Sequence, residues 1–145
     1  MKVEVSADFV MIVLDANVFV SALLRDSETR RILISSDEVF LFPEIILEEI
    51  ERNRSELLEK SGLSDEEFNG LVKRLLKYVM TVPSEVLLPY RDEAYGIIGK
   101  IDVKDVPYVA AALAFKGSVI WSNDQHFEKQ DRVKVVKTRD MLANE

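Results

Sequence analysis

The chain has 145 residues, 48% hydrophobic and 31% charged, a balance that suits one globular domain with a real core and excludes disordered and membrane-embedded classes. It carries 26 acidic against 19 basic residues, a net charge of −7, and no cysteine. Disulfides, thiolate metal sites and cysteine nucleophiles are therefore excluded, and nucleic acid is attracted only where bound cations or a local basic patch offset the acidic balance.

The start, MKVEVSADF, has acids where a leader would be basic and then apolar, and no apolar run is long enough to span a bilayer. This predicts a cytoplasmic chain without membrane contact. The first ten residues are an N-terminal extension or an extra edge strand through Val3 and Val5. Phe9 to Leu14 has no polar break and reads as a buried parallel strand that stops at Asp15. Ala16 to Leu24 follows as a helix with Val18, Phe19, Ala22 and Leu23 at helical spacing, and Arg30 to Ser35 as a second, shorter one. Val39 to Phe42 is a strand. Pro43, at a first helical position, opens a long helix to about Glu59, with Ile46, Ile50 and Leu57 on one side.

Ser61-Gly62 ends that helix, and Ser64-Asp65-Glu66-Glu67 is a capping box for the next, which runs to about Tyr78. Val79 to Val82 is a third strand. Tyr90 to Gly99 and Asp105 to Phe115 are helices, the latter stopped by Lys116-Gly117. Val119 to Trp121 and Val133 to Val136 are strands four and five, and Thr138 caps a terminal helix. This alternation predicts an α/β domain over the whole chain, 1–145, with helices around a parallel sheet.

Two strands end in acids. Asp15 follows the first, in Asp15-Ala16-Asn17, and Asp124 follows the fourth, in Ser122-Asn123-Asp124. Ligands of open parallel sheets bind outside the carboxyl ends of strands. Glu49 and Asp105 lie on or before helices that can lean over the same edge. Each has a plainer reading: Asp15, Asp105 and Asp124 as helix or turn caps, Glu49 as a solvated glutamate. Glu49 differs from Glu48 in lying on the flank of the apolar stripe, whereas Glu48 points to solvent. Asp102 reads as a loop acid within reach of a second ion. His126, the only histidine, reads as a turn residue and excludes a histidine-based zinc site. Taken together, the acids suggest a Mg²⁺ or Mn²⁺ site, because hard carboxylate oxygens without thiols suit those ions.

These residues resemble the PIN-domain family, the fold of VapC-type toxin ribonucleases and many stand-alone relatives. The resemblance rests on Val13-Leu14-Asp15-Ala16-Asn17, on the helix start Pro43 to Ile50 with its glutamate at Glu49, on Asp105 before the alanine-rich stretch to Leu113, and on Ser122-Asn123-Asp124 followed by Gln125-His126-Phe127. Ser122 stands where threonine is commoner. The resemblance implies a three-layer fold with a five-stranded sheet in the order 3-2-1-4-5. It also implies metal-dependent hydrolysis of RNA that leaves a 5′-phosphate. Asp15, Glu49, Asp105 and Asp124 would hold one or two ions, and Asn17 and Ser122 would orient ligands and water. Lys104 is the favoured phosphate contact, ahead of Arg30-Arg31, Arg52-Arg54, Lys73-Arg74-Lys77 and Lys100. An antitoxin partner and a homodimer formed through Pro43 to Tyr78 are further expectations.

Three rival functions follow from the same residues. One is an inactive PIN-like interaction module, which has no physical reason to keep mutually repelling carboxylates. A second is a DNA-directed nuclease, since metal-assisted hydrolysis does not itself read the 2′-hydroxyl. The third is an aspartyl-phosphate phosphatase, which needs a second Asp where this chain has Asn17.

Overall fold

A computed structural model describes residues 10–24 and 28–143. The expected edge strand through Val3 and Val5 and the start of the first strand at Phe9 lie outside those residues. Five short strands, β1 (Met11–Leu14), β2 (Val39–Pro43), β3 (Val79–Val82), β4 (Val119–Trp121) and β5 (Val135–Val136), form one sheet in the order β3-β2-β1-β4-β5. Every pairing is parallel. The order is the expected one, and it reverses between β1 and β4, where a doubly wound sheet opens its crevice. The strands that meet there are almost continuously apolar because helices cover the sheet: Ile12, Val13, Leu14, Ile120 and Trp121 are all buried.

The flanking helices are α1 (Ala16–Leu24), α2 (Glu28–Ser35), α3 (Glu44–Arg52), α4 (Arg54–Ser61), α5 (Asp65–Leu75), α6 (Ser84–Leu87), α7 (Arg91–Ala94), α8 (Val106–Ala114) and α9 (Thr138–Ala143). Helix α8 packs against β1, β2 and β4, and α1 against α2, α4 and α5. Phe19 from α1 stacks on Phe42 from β2 with ring centroids 4.7 Å apart, and Phe40 tilts against Trp121 at 6.1 Å. No helix among the described residues is long and apolar enough to cross a membrane.

Several elements differ from the sequence reading. Pro43 ends β2 and stands just before α3 in extended backbone, so it is the cap position rather than the first helical residue. The long helix is two helices, interrupted at Asn53, whose φ of −96° and ψ of 13° leave helical geometry; asparagine has low helix propensity. Helix α5 ends at Leu75 and tightens into a 3₁₀ turn over Leu76–Tyr78. Its capping box is formed as expected: Glu67 N–H donates to Ser64 Oγ (3.1 Å) and Ser64 N–H to Glu67 Oε1 (3.0 Å). Gly62, at φ +71°, closes α4 in the left-handed region that glycine adopts without strain.

Tyr90 to Gly99 is not one regular helix. Helical backbone starts earlier, at Ser84, passes a 3₁₀ turn at Leu88–Tyr90 and widens into a π turn over Tyr95–Gly99. The Tyr95 ring lies across Gly99, where a Cβ would sit 2.3 Å from a ring carbon, so any larger residue there requires the exposed Tyr95 side chain to move. Helix α8 begins at Val106 and ends at Ala114, a residue inside each predicted end. The last strand is only Val135–Val136. Val133 is withheld from the ladder because the Gln130 side chain takes both its backbone groups, at 2.9 Å each.

Candidate active site

The register between β1 and β4 builds the centre of the site. Leu14 pairs with Trp121, and Asp15 N–H donates to Trp121 O (3.3 Å), so the residues just beyond the two strands, Asp15 and Ser122, come side by side. The Ser122 hydroxyl, fully buried, hydrogen-bonds the Asp15 carboxylate and accepts from Asp124 N–H at 3.0 Å. One serine thus ties both strand-end acids together. Asp15 Oδ1 also accepts from Val18 N–H (2.8 Å), and the carboxylate receives Asn17 N–H as well. Burial raises the Asp15 pKa most; Ser122, Val18 and Asn17 oppose it, and the Asp124 charge adds to it. Asn17 offers its backbone inward while its side chain is exposed.

The cap readings divide. Asp15 caps α1, and Asp124 caps the 3₁₀ turn Gln125–Lys129 through His126 N–H (2.9 Å). Asp102 is more than a loop acid, for its Oδ1 accepts from Lys104 N–H (3.0 Å) at the 3₁₀ turn Val103–Asp105. Asp105 caps nothing. It precedes α8 without any side-chain cap bond, it is only 7% exposed, and its Oδ2 has no hydrogen-bond partner. Its pKa is pushed up to about 7, first by burial, then by the charges of Asp102 and Asp124, with His126 opposing and Asp15 adding. A buried carboxylate oxygen without a donor fits a cation, and the surrounding donor set of carboxylates is the hard chemistry that a divalent ion takes.

His126 is a turn residue, as expected, but one aimed inward. Its Nδ1 lies 3.1 Å from Asp102 Oδ2, 3.4 Å from Asp124 Oδ1 and 3.8 Å from Asp105 Oδ2. Among the described residues, Asp102, Asp105 and His126 are the group close enough to hold one ion. That group shares only Asp105 with the four acids predicted as metal ligands. Asp15 and Asp124 are its neighbours.

Glu49 stands further out. It is half-buried while Glu48 is exposed, in agreement with the register argued for α3. Tyr108 connects it to the rest. This buried residue donates no bond to a carboxylate; instead its hydroxyl oxygen accepts from Ala16 N–H at 3.0 Å. Its pKa is raised by burial and by the charges of Asp15, Glu49 and Asp105. Tyr108 stands three residues after Asp105, in the first turn of α8, and nothing in its local pattern marks it as a site residue.

The basic candidates also sort by contact. Lys104 is exposed and lines one depression with Glu49, Arg52 and Asn53. Arg30 is structural: Nε donates to Ala22 O (2.7 Å) and Nη2 to Leu23 O (3.2 Å) at the end of α1. Arg31 pairs with Glu28. Arg54 binds Glu51, Asp65 and Asn69 and lies over the Phe68 ring at 4.9 Å. These bonds occupy the Arg54 guanidinium, which removes it from the phosphate candidates.

The sequence model of the PIN domain matches residues 13–144, nearly the whole chain. The chain belongs to the PIN-domain family. No curated protein matches it significantly. PIN domains are generally nucleases and typically depend on divalent metals, and this PIN domain has both the five-stranded sheet and an acidic group at its carboxyl edge.

Proposed function

We propose that this PIN domain is a Mg²⁺- or Mn²⁺-dependent endoribonuclease whose site is centred on Asp15, Asp105 and Asp124, with Glu49 at its border. One observation carries the reading: Asp105 keeps a buried carboxylate oxygen unpaired beside other carboxylates, where it serves neither a cap nor an ion pair with Lys or Arg. A divalent ion bound there supplies Lewis acidity and acidifies its own water.

The chain's own residues do the rest. Ser122 holds Asp15 in one orientation and, through Asp124 N–H, sets the Asp124 carboxylate beside it. Tyr108 fixes the turn at Ala16, so that Asp15 cannot rotate out with α1. Lys104, beside Asp105 and exposed in the depression that Glu49 lines, is placed to meet a phosphate of the substrate strand. The antitoxin and homodimer belong to the same proposal, with the helices between Pro43 and Tyr78 as the self-association surface.

The test is cleavage of labelled single-stranded RNA with Mn²⁺, Mg²⁺ or EDTA, alongside Asp15→Asn. We expect cleavage that needs the metal and falls at least about a hundredfold in the variant, whose fold by circular dichroism is unchanged. Equal turnover by variant and parent would overturn the assignment. Faster cleavage of the matching DNA would redirect it to a DNA nuclease.

A further inference from the structure

The side chains around His126 bring two unpartnered buried polar atoms together. Asp105 is 7% exposed with Oδ2 unpartnered, and His126 Nδ1 is buried and makes no hydrogen bond to any of the three carboxylates beside it. Buried polar atoms left unpaired are costly. Asp102 Oδ1 is already engaged by Lys104 N–H, which turns Oδ2 toward the imidazole. Ligand atoms held roughly 2.1 Å from one octahedral ion stand about 3.0 Å apart when adjacent and about 4.2 Å when opposite. The observed separations of 3.1 Å to Asp102 and 3.8 Å to Asp105 fall in that interval.

We propose that Asp102, Asp105 and His126 form a cation position of their own, adjoining Asp15 and Asp124, and that its imidazole makes it prefer Mn²⁺ and related transition ions to Mg²⁺. Carboxylates accept Mg²⁺ and Mn²⁺ alike, whereas an imidazole nitrogen favours transition ions, so His126 is the residue that sets the preference. The position deepens the nuclease reading and rests on it only for the shared Asp105.

The experiment uses the full chain, titrated calorimetrically with MnCl₂ and with MgCl₂, as parent, His126→Asn and Asp15→Asn. We expect His126→Asn to weaken Mn²⁺ binding about tenfold or more and Mg²⁺ binding less, which collapses the preference. Asp15→Asn should keep the preference. Because the chain has one histidine, its imidazole nitrogens give unambiguous signals, and Zn²⁺ should shift Nδ1 while Nε2 keeps its proton. An unchanged Mn²⁺-to-Mg²⁺ ratio in His126→Asn, or an Nδ1 signal unmoved by Zn²⁺, overturns the inference. The nuclease reading survives that result if Asp15→Asn still abolishes cleavage. No binding of any of these ions by the parent overturns both.

Discussion

At Asp105, burial and the charges of Asp102, Asp124 and Asp15 outweigh His126 and hold the carboxyl at about 7, against 3.8 when unperturbed. The folded chain therefore keeps this proton over a pH range where the unfolded chain has released it. Stability of the metal-free protein from this group is full below about pH 4, falls as pH rises toward 7, and is flat above. A one-unit shift is about 1.4 kcal/mol, so the loss is on the order of a few kcal/mol. Urea melts in EDTA should show Asp105→Asn matching its parent at pH 4 and exceeding it by that order at pH 8. Saturating Mn²⁺ should close the gap from the parent's side. An equal gap at both pH values would refute the assignment. The same residue marks what sequence could and could not tell. Asp before Val-Pro predicts a cap by composition, and only the structure reveals that the carboxyl makes no bond to the helix it precedes. His126 was opaque for a similar reason: its partners Asp102 and Asp105 lie more than twenty residues away, and no local pattern encodes that meeting.

Among the elements, those with strong local signals were legible. The capping box at Ser64, the left-handed Gly62, the helical spacing in α1 and the apolar runs of β1 and β4 each follow from chemistry within a few residues. Sequence and structure part where a side chain intervenes, as when Gln130 takes the backbone of Val133. Thr138 is another case. It does not cap α9; Lys137 N–H is bound by Asp140 Oδ2 (2.9 Å). Its hydroxyl oxygen instead accepts from Trp121 Nε1 and from Asn123 Nδ2, both at 3.0 Å, while Asn123 Oδ1 takes Thr138 N–H at 2.9 Å. Helix α9 is thereby clasped to the end of β4, one residue from Ser122 and Asp124. Thr138→Val keeps the shape and removes the acceptor, with an expected cost of about 1–3 kcal/mol. The lone tryptophan reports it directly, so its emission should change and cleavage should fall. An unaltered emission spectrum with full stability would deny the clasp any role.

For the molecule as a whole, the alternation of strands and helices predicts a parallel sheet, whereas the order 3-2-1-4-5 comes only with the resemblance to the PIN-domain family, since local spacing does not fix which strands become neighbours. The core behind the crevice joins α1 to the sheet through the stacked, fully buried Phe19 and Phe42. Phe42→Ala should cost about 3–5 kcal/mol and show as a lowered urea midpoint, with the slope of the transition unchanged. A loss below about 1 kcal/mol would mean that this pair is not part of the cooperative unit.

The topology also fixes an order of events. Asp15 lies near one end of the chain, while Ser122, Asp124, His126 and the Thr138 clasp come from the last quarter. A protein emerging from the ribosome exposes its first strand and first acid early, and β4 cannot dock on β1 until almost everything between has been made. Until then the carboxylates have no common edge. A nascent chain therefore carries Asp15 long before the partners that complete its carboxyl edge, and that edge closes only once β4 has been made and seated on β1.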